Sequence, residues 1–161
     1  MKIYIIIPVY NSMPYLEKCL MSIKNQSHEN FTCVVVNDGS TDGSRDLCES
    51  YTSDERFILL SQENKGVASA RNTALRYVIQ HAQKNDYLTF IDSDDSVDKN
   101  YLKKFTDAKQ SNSNLKNEAL YLCGWNQCIS DKKIIAHKQD DTNGVISGDF
   151  RTDFEKLDSF L

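Results

Sequence analysis

Apolar residues come along this chain in blocks, and each block is separated from the next by an amphipathic or polar stretch. Ile3–Val9 is an almost unbroken apolar run, repeated at Phe31–Val36, Phe57–Leu60 and Tyr87–Ile91. Short β-branched and aromatic runs of this kind predict strands buried on both faces. Between them the period changes. Leu16, Cys19, Leu20 and Ile23 recur at three- and four-residue spacing, which predicts a helix with one apolar face. It runs to about Asn25, with Pro14 in its first turn and Asn11 or Ser12 as its cap. Ser40-Thr41-Asp42-Gly43-Ser44 is turn and cap chemistry before a short helix reaching Tyr51. A further helix is expected from Val67 to about Gln83, and another whose apolar side carries Tyr101, Leu102 and Phe105. Beyond the polar connector Ser111–Asn117, the stretches Ala119–Cys128 and Ile134–Ala136 read as strands. Gly144–Gly148 is a short apolar piece between turns, and Phe154, Leu157, Phe160 and Leu161 begin an amphipathic helix.

Strands that alternate with helices at this spacing imply β-α-β units: an α/β fold with a mostly parallel sheet and helices on both faces. At 161 residues the chain has the size of one domain. Its formal net charge of −4 offers no broad basic surface, so nucleic acid is not an expected partner. The run at Ile3–Val9 is too short to span a membrane and lacks the cleavage region of a signal peptide. No transmembrane segment is therefore expected. Cys19, Cys33, Cys48, Cys123 and Cys128 are odd in number and form no C-x-x-C pair. They read as reduced, buried residues of a cytoplasmic protein. His28, His81 and His137 are scattered, and a zinc site is not expected.

Candidate chemistry gathers after the strands. Tyr10-Asn11 follows the first, Asp38-Gly39-Ser40 the second, and Asp92-Ser93-Asp94-Asp95 the fourth. In a parallel sheet these clusters share one rim, where α/β folds bind ligands. Three carboxylates in four positions repel one another unless a cation is present. In an extended segment Asp92 and Asp94 would point to the same side. Asp38 could accept hydrogen bonds from a base or ribose, or Asp38-Gly39 could simply make a turn. Lys65 and Gly66 open the third helix, whose N-terminus favours anions. Arg71 lies early in that helix, where a cation is disfavoured unless something negative stands nearby. Competing motifs are missing. No G-x-G-x-x-G follows the first strand, and no G-x-x-x-x-G-K-[ST] occurs anywhere. A calcium loop starting at Asp92 would put Val97 where glycine is needed and Lys103 where glutamate is needed.

Four blocks carry a resemblance: Ile5–Asn11, Val35–Ser44, Asn64–Asn72 and Phe90–Asp95. In order and spacing they resemble the signature blocks of family 2 glycosyltransferases. The resemblance covers about residues 3 to 105 and implies the GT-A fold, a Rossmann-like domain with sheet order 3-2-1-4. It implies a sugar moved, with inversion, from a nucleotide-diphosphate sugar to a saccharide or lipid-linked acceptor in cell-surface polysaccharide synthesis. Pro8, Tyr10, Asn11 and Asp38 would surround a base and ribose, most often uridine. Lys65, Gly66 and Arg71 would lie toward the nucleotide or its diphosphate. Asp92 would contact ribose or metal, and Asp94 would be the main ligand of Mn²⁺ or Mg²⁺. Asp95 would orient the sugar or help start the next helix near Asp98.

The resemblance divides the domain into a nucleotide-sugar-binding part, 1–110, and the incomplete start of an acceptor part, 111–161. The general base that inverting transfer requires is expected beyond Leu161. Asp140, Asp141, Asp149 and Asp153 stand in no recognisable context. Any peripheral membrane association would run through regions this sequence lacks. Two alternatives remain: a non-catalytic nucleotide-sugar-binding module, and a Mg²⁺-dependent phosphatase. The phosphatase motif would follow the first strand and carry Thr or Val where Ser96 stands.

Overall fold

The computed structural model describes residues 1–111, 119–121, 125–130, 133–137 and 145–147. Four apolar runs form strands, β1 (Ile3–Val9), β2 (Phe31–Asp38), β3 (Phe57–Gln62) and β4 (Tyr87–Phe90). They alternate with helices α1 (Met13–Lys24), α2 (Ser44–Tyr51), α3 (Val67–His81) and α4 (Tyr101–Ser111). The four strands form one parallel sheet in the order β3-β2-β1-β4, as expected. Parallel strands need crossovers, and the intervening helices supply them.

β1 and β2 are buried along their whole length, which is why they read as continuous apolar runs. Ile3, Ile5, Ile7 and Val9 pack with Leu16, Leu20 and Ile23 of α1, Cys48 of α2 and Leu102 of α4. Tyr4 and Ile6, on the alternate positions, pack with Val34, Val36 and the α3 residues Ala70, Ala74 and Val78. Helices therefore cover both faces. Each fully buried aliphatic side chain contributes about 1.5–3 kcal/mol, so α1 is held chiefly by Leu16, Leu20 and Ile23, all at 0 % exposure.

The fourth strand departs from expectation. It ends at Phe90 rather than Ile91, and it is partly exposed instead of buried on both faces; Phe90 is 44 % exposed. Its position explains this. Among the described residues β4 is an edge strand of the sheet, pairing with Ile3–Ile6 of β1 on one side.

Cys19, Cys33 and Cys48 are buried free thiols. Burial pushes the Cys19 and Cys48 thiols up to about 12 and raises Cys33 well above its ordinary range. They behave as small core residues. No helix among the described residues is long and apolar enough to cross a membrane.

The chain divides into two compact units, Met1–Asp107 and Ala108–Leu161. Within the second, β5 (Ala119–Tyr121) pairs antiparallel with β8 (Val145–Ser147), and β6 (Trp125–Ser130) pairs antiparallel with β7 (Lys133–His137). The single strand expected over Ala119–Cys128 is thus two, β5 and β6, with separate partners. The expected helix at Phe154–Leu161 and the carboxylates Asp140, Asp141, Asp149 and Asp153 lie outside the described residues.

Candidate functional site

The carboxyl ends of the parallel strands share one rim, and three loops meet there. Asp38 closes β2 and is 2 % exposed. A buried carboxylate needs partners, and it has two: Gln62 Nε2 donates to Asp38 Oδ1 at 2.8 Å, and the Lys65 backbone N–H donates to the same oxygen at 2.9 Å. Gln62 lies opposite Asp38 in the β2–β3 register. Its own amide is fixed from α3, donating to Ser69 Oγ at 3.1 Å and accepting from Thr73 Oγ1 at 2.6 Å. Among the described residues, Asp38 Oδ2 takes no hydrogen bond. The turn after Asp38 depends on Gly39, whose φ is +72° and whose missing Cβ would meet the Asn64 backbone nitrogen at 2.8 Å. Asp38-Gly39 thus makes a tight turn and also presents a carboxylate.

The loop after β1 is stitched to the loop after β2. Asn11 adopts a positive φ of 48°; its Oδ1 accepts the Thr41 N–H at 2.8 Å, and its own N–H donates to Ser40 Oγ at 3.2 Å. The cap of α1 differs from expectation. Ser12 occupies the cap position but makes no side-chain cap, because its Oγ bonds the Tyr10 carbonyl and Ser93 Oγ. Asp42 takes over from across the rim, accepting the Met13 N–H at 3.0 Å through Oδ2 and the Ser44 N–H at 3.0 Å through Oδ1. The Ser44 side chain, with those two N–H groups, holds the Asp42 carboxyl below its ordinary range.

The acidic segment is not extended. The Asp95 N–H bonds the Asp92 carbonyl at 3.0 Å, closing a turn through Ser93 and Asp94. The two-residue alternation that would align Asp92 with Asp94 therefore does not apply. A turn lets the backbone satisfy itself where the pairing with β1 stops. α1 serves as its platform. Cys19 Sγ bonds the Asp92 carbonyl, Ser22 Oγ accepts the Val97 N–H, and Gln26 bonds both the Asp98 carbonyl and the Leu102 N–H. Asp92, Asp94 and Asp95 are all exposed. Partial burial, then Asp94 and Asp92, raise the Asp95 carboxyl above its ordinary range.

Arg71 supplies the countercharge. Its guanidinium meets Asp92 Oδ1 at 2.6 Å and lies 5.9 Å from the Phe90 ring centre. That carboxylate offsets the unfavourable place of a cation near a helix N-terminus. Among the described residues, Arg71 Nε is buried without a hydrogen-bond partner.

No cluster of three or more His, Cys, Asp or Glu side chains is gathered as a metal site among the described residues. Magnesium-type ions, however, are commonly held by one or two carboxylates, with phosphates and water completing the shell. The hard oxygens of Asp92 and Asp94, both exposed, fit that donor set.

The sequence-expected residues are thus distributed unequally. Asp38, Lys65, Asn11, Arg71 and Asp92 all join the bonded rim, Lys65 through its backbone and Asn11 as a strap between loops. Pro8 is buried in β1 beyond the last residue paired with β4, and Tyr10 is 51 % exposed at the rim. Gly66, at φ 85° and ψ 161°, occupies a backbone region that favours glycine. It opens α3, which has no side-chain cap. Gln62, Ser93 and Asp42 were not singled out from the sequence as site residues. Gln62 could have been found from its position, since it ends β3 as Asp38 ends β2.

The model of the family described as Glycosyl transferase family 2 matches residues 4–151. Glycosyltransferase GlyA of Streptococcus pneumoniae is 45% identical over 102 residues, covering 63% of this chain and 14% of that protein. Among solved structures, S. aureus TarS 1-349 in complex with UDP-GlcNAc superposes with a TM-score of 0.62 at 31% identity, covering 70% of this chain and 32% of that one. Mannosyltransferase PcManGT from Pyrobaculum calidifontis, in complex with GDP-Man and Mn2+, gives 0.53 at 29% identity, covering 62% and 30%. The chain therefore spans well under two thirds of the proteins it matches. The parallel sheet and its helices are the GT-A arrangement of these neighbours.

Proposed function

The chain belongs to glycosyltransferase family 2, and from that membership we propose that it binds a nucleotide-diphosphate sugar, with uridine as its nucleoside, for inverting transfer to a saccharide or lipid-linked acceptor. The observation that carries the proposal is the span of α3. Its first turns reach the Asp38 network through Ser69 and Thr73 and the acidic turn through Arg71. One ligand laid along that span would meet a hydrogen-bonding carboxylate at one end and a cation-seeking turn at the other. A nucleoside diphosphate has that polarity.

In this reading Pro8 and Tyr10 flank the base, Asp38 accepts its N–H, and Asn11 holds the loops around it. The N-terminal N–H groups of α3 at Gly66, the Lys65 ammonium and Arg71 face the diphosphate. Asp92 and Asp94 hold Mn²⁺ or Mg²⁺, and Asp95 orients the sugar. When bound, the cation neutralises the leaving diphosphate as a Lewis acid. The Mn2+ of the PcManGT complex supports this assignment. The UDP-GlcNAc of the TarS complex supports the uridine reading. Synthesis of cell-surface polysaccharide is the proposed setting. The cytoplasm is the proposed compartment, one in which free Cys19, Cys33 and Cys48 persist.

Calorimetry with UDP, GDP and ADP, each with and without Mn²⁺, tests the assignment. UDP should bind tightest and require the cation. Asp38→Ala should weaken UDP by about 1–3 kcal/mol, the cost of an unpaired buried polar contact. Equal affinity for all three diphosphates would overturn the reading of Asp38 as a base contact.

A further inference from the structure

Gln62 stands behind Asp38 in a way that bears on which base the pocket accepts. An amide has one accepting oxygen and one donating NH₂. Thr73 Oγ1 occupies the oxygen at 2.6 Å, and Ser69 Oγ lies 3.1 Å from the NH₂. These two α3 residues, four apart on one helix face, fix the amide so that its NH₂ points to Asp38 at 2.8 Å. The Lys65 backbone N–H, the second neighbour of that oxygen, is also a donor. Both groups that meet Asp38 Oδ1 are donors, the pattern that suits an accepting carboxylate. Oδ2 is the oxygen left over for a ligand.

We propose that Gln62 is a specificity-determining residue. By facing Asp38 with a donor, it favours the charged, accepting form of the carboxylate, and so makes the pocket select a pyrimidine with a protonated ring nitrogen over one with a bare ring nitrogen. The proposal rests on the reading of Asp38 as a base contact. Uracil offers N3–H to Oδ2 and forms a hydrogen bond. Cytosine offers the N3 lone pair at that place, which opposes the carboxylate lone pairs, and its N4 amino group reaches the carboxylate only if the base shifts. Gln62→Glu inverts the logic. Two carboxylates at this spacing share a proton, so Asp38 can then present an O–H to cytosine. Thr73→Val removes the hydroxyl that fixes the amide while keeping the side-chain shape, so the NH₂ is free to turn from Asp38.

The test is the ratio of UDP to CDP affinity, measured by calorimetry with Mn²⁺ for wild type, Gln62→Glu and Thr73→Val. Wild type should prefer UDP by about ten- to a hundredfold, the range a buried unpaired group produces. Gln62→Glu should bring the ratio close to one or reverse it, and Thr73→Val should narrow it less. A merely structural role would weaken both ligands together and leave the ratio unmoved, and that result in the folded variants would overturn the proposal. Should Gln62→Glu fail to fold, Thr73→Val decides alone. A wild type that binds UDP and CDP alike would instead overturn the base-contact reading of Asp38.

Discussion

The two acidic ends of the rim are built in opposite ways. Asp38 is 2 % exposed, the last residue of β2, and anchored on one oxygen by two donors whose own positions are set by β3, α3 and the loop at Lys65. Asp92, Asp94 and Asp95 are exposed on a turn past β4, where partial burial and then the charges of Asp94 and Asp92 raise the Asp95 carboxyl. In the first region the sequence spends glycine and a hydrogen-bond network on one exact orientation. In the second it concentrates negative charge and leaves most of it unmet. A group that reads a donor pattern must be rigid before the ligand arrives. A group that recruits a cation needs charge and room for phosphates and water.

The largest test of this contrast is aimed at the rigid end. Gly39→Ala forces a left-handed φ on a side chain and drives its Cβ to 2.8 Å from the Asn64 backbone. The backbone strain costs about 1–2 kcal/mol and the overlap about 1–3 kcal/mol more. Gly66→Ala is the control. Its φ is +85° but no atom lies within 4 Å, so strain alone remains. Chemical denaturation should show the Gly39 variant as the less stable of the two. A Gly39 variant less damaged than the Gly66 variant would mean that the contact with Asn64 does not matter and that the Asp38 end is less tightly built than claimed.

The acidic turn should respond in ligand binding and hardly at all in stability. Asp94→Asn keeps shape and removes one charge from an exposed turn. Mn²⁺-dependent UDP affinity should fall at least about tenfold, since even outer-sphere changes at metal sites cost that much. The melting temperature should hold or rise as crowding eases. Arg71→Gln breaks a partly exposed ion pair, a loss of about 0–1 kcal/mol in stability. Large destabilisation by either change would show the turn to be structural.

Most of the scaffold could be read in advance because it is local. Ile3–Val9 and Phe31–Val36 are apolar at nearly every position, and only central parallel strands are buried in that way. Leu16, Cys19, Leu20 and Ile23 announce their helix for the same reason. What escaped is non-local. Asp42 caps α1 from the β2 side, and Ser22 and Gln26, polar residues of α1 and its end, hold the segment at Val97–Leu102. Nothing in their own neighbourhood marks these bonds. The shape of Asp92–Asp95 escaped for a different reason: the apolar run predicts where β4 stops only to within a residue, and one i to i+3 bond turns the segment out of the extended form.

The smallest expected effect concerns acid, and it separates the two regions by sign. The Asp42 carboxyl is held below its ordinary range by the Ser44 side chain and the N–H groups of Met13 and Ser44. A lowered carboxyl stabilises the fold at every pH above its unfolded value of roughly 4, and that contribution is lost as pH falls through the folded value. Asp95 works the other way: its raised carboxyl favours the proton in the folded state, so acid does not undo what it contributes. Asp54, held low by Arg56, adds to the same acid limb as Asp42. Comparing wild type with Asp42→Asn therefore isolates one residue. The variant should be slightly less stable at neutral pH, and its melting temperature should fall less steeply as the solution is acidified below about pH 4. Because Asp42 is at the surface, added salt should shrink the difference. Parallel melting curves for the two proteins across the acid range would mean that the strap between α1 and α2 does not depend on the Asp42 charge.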